Sequence, residues 1–91
     1  MNTKGTLAMN EEEEAKSLVS HPVIIGMARR TKRAIERRET TLYAMNTPKV
    51  TLEVYHYCRG LGIDVEHKAA PWIAVKYHVI RMLKEEGQNP W

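Results

Sequence analysis

The sequence predicts an all-α protein, folded as a compact domain of three to four helices. Apolar residues recur at intervals of three and four along most of the chain, proline or cap-forming residues begin the resulting segments, and glycines follow two of them. With 91 residues, 43% of them hydrophobic, the chain suffices for one domain with a modest core. We expect residues 1–9, which show no periodicity, to be a disordered arm, and residues 10–91 to be the helical domain.

The first helix is predicted to begin after Asn10 and to run to Ser20. Asparagine caps the free N–H groups of a helix start, and the four glutamates that follow, Glu11 to Glu14, complement the positive end of the helix dipole. We interpret the glutamate run as a solvated helix start; the alternative is an acidic ligand site.

A second, long helix is predicted from Val23 to Met45, behind Pro22. Its apolar stripe falls at positions 24, 28, 31, 35, 38, 42 and 45, although positions 31 and 38 are Thr and Arg. Because this spacing covers three heptads, we expect two copies of the helix to pair antiparallel in a homodimer. The seam would consist of Ile24, Ile35 and Leu42. The alternative is that the stripe packs on the last helix of the same chain.

Thr47-Pro48 predicts another helix start, but the stretch that follows is ambiguous. Residues 50, 54, 57 and 61 share one face of a helix, whereas 50, 52, 54, 56 and 58 share one face of a strand. We predict a helix that ends at Gly60 or Gly62; the alternative is an α+β fold with a hairpin across residues 49–67. A last helix, from Trp72 to Glu86 behind Pro71, is so apolar that we expect it in the centre of the fold.

Charge is distributed unevenly. The net charge is +3, but residues 29–49 contain seven basic and two acidic side chains, a local charge of +5. Clustered arginines on a helix bind phosphate oxygens with their guanidinium forks. We therefore predict a nucleic-acid-binding site formed by Arg29, Arg30, Lys32, Arg33, Arg37 and Arg38.

The functional hypothesis is a small non-enzymatic regulator that binds nucleic acid, with duplex DNA as the expected ligand. Alternatives for the basic segment are a solvated face paired with nearby glutamates, or a site for an acidic protein or a membrane surface. A different class is a protein-interaction module, such as an adaptor, an inhibitor or a subunit-stabilising factor. The apolar last helix and the many Tyr and Met side chains favour that class.

Catalytic and metal chemistry find little support in the sequence. On a helix His56 and Cys58 point apart, no glycine-rich phosphate loop occurs, and His67 and His78 are spaced irregularly for a zinc site. We expect Cys58, the single cysteine, to be buried and structural, and we expect neither an enzyme nor a cofactor. With no signal peptide or membrane-length apolar run, we expect a cytoplasmic protein.

Overall fold

The computed structural model describes residues 9–91 and contains no strand in that range. The predicted all-α class is therefore confirmed, and the alternative hairpin across residues 49–67 is wrong. Most of the predicted disordered arm, residues 1–8, lies outside the described residues. The described helices are Glu11–Leu18 (α1), Pro22–Glu36 (α2), Leu42–Met45 (α3), Pro48–Gly60 (α4) and Ala70–Glu85 (α5).

Helix starts are fixed by contacts within a few residues of sequence. Asn10 Oδ1 accepts a hydrogen bond from Glu13 N–H at 2.8 Å, and the Glu13 carboxylate accepts one from Asn10 N–H at 3.0 Å. The hydroxyl of Thr47 accepts one from Val50 N–H at 3.2 Å, and Pro48 occupies the first turn of α4. The starts predicted at Asn10 and at Thr47-Pro48 are confirmed.

The single long helix predicted from Val23 to Met45 is wrong, because the chain turns at Arg38. The backbone there is left-handed, with a φ of 63°. In this conformation Arg38 N–H donates a hydrogen bond to the carbonyl of Ile35 at 3.0 Å, and Glu39 N–H donates one to the carbonyl of Ala34 at 2.9 Å. This pair of hydrogen bonds is a common way to end a helix. Leu42, in the separate turn α3, is still fully buried, which explains why the apolar spacing continues across the break.

The last helix, α5, lies in the centre of the fold, as predicted. Helices α1, α2 and α4 each pack on it and contact one another far less. No helix between residues 9 and 91, α5 included, has the length and apolar character that a bilayer crossing demands. The buried residues of α5 cover more than half of its circumference: Ala70, Pro71, Trp72, Ala74, Val75, His78, Val79 and Leu83.

The core is completed by side chains from every other helix. Ile24 from α2, Leu42 from α3 and Cys58 from α4 are fully buried among the residues of α5. Burial raises the pKa of the Cys58 thiol, which keeps it protonated at neutral pH. The predicted burial of Cys58 is confirmed.

Glu14 connects α1 to the segment between α4 and α5. Its carboxylate accepts hydrogen bonds from the N–H groups of Glu66 and His67, at 2.8 and 2.7 Å, and lies 2.9 Å from His67 Nδ1. Burial raises the pKa of Glu14, but these three hydrogen bonds outweigh burial and hold the pKa below its usual value. The interpretation of the glutamate run as solvated is thus wrong for Glu14, which is 8% exposed, and right for the other three.

His78 fastens the other end of α1 to α5. Its Nε2 donates to the carbonyl of Val19, the residue after α1, and its Nδ1 lies 3.3 Å from the guanidinium of Arg81. The arginine can only donate, so in this contact Nδ1 accepts, while Nε2 donates to the carbonyl of Val19. Together with Glu14, His78 supplies partners for backbone groups that the helices themselves leave unpaired.

Replacing Arg38 with glycine is expected to raise the free energy of unfolding by about 0.5–1 kcal/mol, because glycine adopts the left-handed conformation without the steric cost of a Cβ. Urea unfolding measures the change. Arg38→Ala retains the strained conformation and is expected to have little effect, so equal stability of the two variants would contradict this explanation.

Gly62 and Gly87 provide internal controls, since they hold the matching positions after α4 and α5 with φ values of 84° and 75°. A Cβ added at either glycine meets no atom of the described residues within 4 Å. Alanine there is therefore expected to cost about 1 kcal/mol for purely conformational reasons.

Replacing Glu14 with glutamine is expected to lower the free energy of unfolding by about 2 kcal/mol at neutral pH, because one amide oxygen replaces two carboxylate oxygens. The pKa of Glu14 is lowered by folding, so the carboxylate stabilises the fold above its unfolded-state pKa. This stabilisation is lost as the pH falls through the lowered, folded-state value. Urea unfolding between about pH 6 and pH 3 is therefore expected to show a steeper loss for the wild type than for Glu14→Gln.

Glu11→Gln is the matched control for this measurement, because Glu11 lies in the same turn and is exposed. Glu11→Gln removes none of the contacts to Glu66 and His67, so it is expected to destabilise the protein far less than Glu14→Gln at neutral pH. Parallel pH curves for the wild type and Glu14→Gln would show that folding does not lower the pKa of Glu14 and would contradict this prediction.

Candidate functional site

Four arginines lie along the outer face of α2 and the residue that ends it. With about 100° between successive residues, they fall within an arc of about 100°, on the side opposite the buried residues Ile24 and Ala28. All four are exposed, and they extend for about 12 Å along the helix axis. We call them the arginine strip: Arg29, Arg30, Arg33 and Arg37.

No acidic side chain of the described residues neutralises the strip. Salt bridges within 4.0 Å form at other cations, such as Arg59 with Asp64 at 3.5 Å and Arg81 with Glu85 at 3.2 Å. In residues 9–91 none forms at any of the four strip guanidinium groups. The strip therefore presents four guanidinium groups to solvent, none of them in an ion pair within 4.0 Å among these residues.

The guanidinium groups of the strip repel one another. Arg33 is three residues from Arg30 and four from both Arg29 and Arg37, the spacings at which helical side chains are neighbours. Each like-charge pair of this kind costs a helix about 0.2–0.5 kcal/mol. An anion placed against the strip would offset this repulsion, because it attracts all four guanidinium groups.

Two of the six predicted site residues lie elsewhere. Lys32 is 2.6 Å from a carboxylate oxygen of Glu86, beyond the end of α5, and 3.3 Å from one of Glu36. The hydrogen bond to Glu86, and then that to Glu36, raise the pKa of Lys32. Arg38 is exposed but lies past the end of the helix, in the turn it closes. The structure thus brings four of the six residues together and places Lys32 and Arg38 outside the strip.

A shallow groove runs beside the strip, between α2 and α4. It has a volume of about 420 Å³ and is lined by Met27, Arg30, Glu53, Val54 and Tyr57. Arg30 therefore belongs to both the strip and the groove. The sequence does not predict this groove, because a groove between two helices depends on their relative position and leaves no local signal.

A second groove, of about 390 Å³, lies between α1 and α5. Its floor is apolar, with Ala15, Val19, Ile73 and Ala74, and Tyr77 at its edge is 53% exposed. Glu12 and Lys16 complete the lining, so this groove combines an apolar floor with a charged edge. It is the surface most relevant to the predicted protein-interaction module.

The predicted dimer seam lies largely inside one chain. Ile24 and Leu42 are fully buried in the core, where the stripe of α2 packs on α5, and Ile35 is partly buried. A second copy could reach the first two side chains only after they had left that core. The homodimer stays a prediction, but a seam through these residues would compete with the fold.

Histidine, cysteine and acidic side chains do not converge on a metal-like cluster of three or more anywhere in residues 9–91. His67 contacts Glu14, and His78 contacts the carbonyl of Val19. These two imidazoles are thereby engaged in holding α1 in place.

Removing either of two neighbouring cations of α2 is expected to change the free energy of unfolding in opposite directions. Arg33→Ala relieves repulsion with three strip neighbours and is expected to raise the free energy of unfolding by about 0.5 kcal/mol at low salt, a gain that fades as salt is added. Lys32→Ala removes contacts to Glu36 and Glu86 and is expected to lower stability. Urea unfolding at two salt concentrations tests both. Destabilisation by Arg33→Ala would show that the strip is balanced by partners.

Comparison with protein-family models, with curated proteins and with solved structures finds no significant match. The function of the arginine strip therefore has to be inferred from its own chemistry. That chemistry is a linear array of exposed guanidinium groups, without carboxylate partners among the described residues, beside a groove that carries an exposed aromatic ring.

Proposed function

We propose that this protein binds nucleic acid through the arginine strip, as a small regulator that carries out no reaction of its own. The observation that supports the proposal is the strip itself: four exposed arginines on one face of α2, with no acidic partner among residues 9–91. Guanidinium forks bind phosphate oxygens bidentately, and release of counterions from the nucleic acid then favours the complex.

The spacing of the strip suits a phosphate backbone. Arg29, Arg33 and Arg37 follow one another every four residues, about 6 Å along the helix axis. Successive phosphates of one strand are separated by about 3.4 Å along the axis of B-DNA, and by more than that through space because the strand winds around the axis. Long arginine side chains can adjust to this spacing, so the three guanidinium groups can reach successive phosphates of a single strand.

A protein partner is the second candidate. The groove between α1 and α5 favours it, because a tyrosine at the edge of an apolar floor is typical of protein interfaces. An acidic protein could also contact the arginine strip, since guanidinium forks donate hydrogen bonds to carboxylates as readily as to phosphates. Capture of partners from a cell extract, with and without nuclease treatment, separates the two candidates: retention that survives nuclease favours a protein.

Binding to labelled oligonucleotides, measured by fluorescence anisotropy at several salt concentrations, tests the nucleic-acid proposal. If four phosphates are neutralised, log K is expected to fall with log salt with a slope of about −3.6 for duplex DNA and about −2.8 for a single strand. Replacing Arg29, Arg33 and Arg37 with alanine is expected to reduce affinity at least about tenfold for every sequence and to bring the slope close to −1.

The matched control is the double variant of Arg59 and Arg81, two arginines that form ion pairs away from the strip. Their replacement by alanine is expected to leave the affinity and the salt slope unchanged. If the wild type retains no nucleic acid even at low salt, the proposal fails.

A further inference from the structure

Tyr57 presents an aromatic ring beside the arginine strip. It is 49% exposed and lines the groove between α2 and α4 together with Met27 and Val54. Two neighbouring tyrosines can be compared: Tyr55 is packed against the core, whereas Tyr57, two residues later on α4, is turned outward. The ring of Tyr57 therefore keeps apolar surface in water that a flat ligand could cover.

Arg30 links this ring to the strip. It is the one strip residue among those that line the groove, so a strand whose phosphates lie on the strip passes the mouth of the groove. The groove is shallow and open to solvent, so it can cover one face of a planar ring, to which Met27 and Val54 offer apolar contact.

Glu53 restricts which chemical groups can bind in the groove. Its carboxylate lies in the same lining as Tyr57 and Arg30. A carboxylate accepts hydrogen bonds from N–H groups and repels phosphate. The groove therefore favours a neutral, hydrogen-bond-donating ring and keeps the phosphates on the arginine side.

From this arrangement we infer that the strip binds a single-stranded nucleic acid and that one unpaired base of the strand stacks on Tyr57. The inference rests on the proposed function and makes it more specific. Phosphates lie on the arginine strip, the base enters the groove beside Arg30, and the Glu53 carboxylate accepts from a base N–H group. A duplex keeps its bases stacked and paired, so it can use the strip but not the groove.

The test compares a labelled oligothymidylate of about 15 nucleotides with a hairpin duplex of the same length, again by fluorescence anisotropy. Tyr57→Ala is expected to weaken binding of the single strand about 5- to 150-fold, the usual range for loss of one base–aromatic stack. Binding of the hairpin is expected to stay unchanged. Tyr57→Phe retains the ring and is expected to bind the single strand like the wild type.

Tyr77→Ala is the matched control, because Tyr77 has a similar exposure of 53% but lines the groove between α1 and α5. It is expected to bind both ligands normally. Tyr57→Trp supplies an independent signal: its added fluorescence, relative to the parent chain, is expected to be quenched when oligothymidylate stacks on the indole.

The outcomes separate the two proposals. Failure of the wild type to bind either ligand would overturn the proposed function and this inference with it. Equal affinity of Tyr57→Ala and Tyr77→Ala for oligothymidylate, or an unquenched Tyr57→Trp, would overturn only the stacking site. Wild-type binding to the hairpin alone would likewise leave the strip in place and remove the single strand as its ligand.

Discussion

Helix α5 is the surface on which all of the other long helices pack, and their positions follow from that one requirement. Because α1, α2 and α4 contact one another far less than they contact α5, each is oriented mainly by its own apolar face. The arginine strip on α2 and Tyr57 on α4 therefore owe their relative position to the way in which their two helices pack on α5. A candidate ligand would contact the outer surfaces of α2 and α4, and the distance between these two helices is set by their packing on α5.

Helix α2 carries two opposed faces with opposite energetic consequences. Burial of Ile24 and Ala28 stabilises the fold through the hydrophobic effect, whereas the strip on the other side weakens the helix through like-charge repulsion. The position of the strip reduces this cost. Arg33 lies in the last turn of α2 and Arg37 follows it, close to the negative end of the helix dipole, whose effect fades within one turn. The dipole therefore favours these two of the four charges.

The sequence predicts what depends on near neighbours and misses what depends on distant ones. The caps at Asn10 and Thr47 could be predicted, because each contact spans three residues. The turn at Arg38 could not, since arginine is uncommon in a left-handed conformation, although Thr40-Thr41 was a local signal for a new helix start. The six basic residues of the predicted site could be named from the sequence. The ion pair between Lys32 and Glu86 could not be predicted, because the two residues lie far apart along the chain. The same holds for the groove at Tyr57, which joins two helices.

The position of α5 in the chain has a consequence for synthesis on the ribosome. The helices that need α5 as a packing partner are all made before it, and helices of this length are marginal in water without tertiary contacts. The hydrogen bonds of Glu14 with Glu66 and of His78 with Val19 span 52 and 59 residues, so they too form only when late segments meet early ones. The emerging chain is therefore expected to stay open until residues 70–85 are released, and then to collapse in one step. The contacts of α1 and α2 with α5 join distant parts of the chain, and contacts of that kind slow folding relative to the pairing of neighbouring helices.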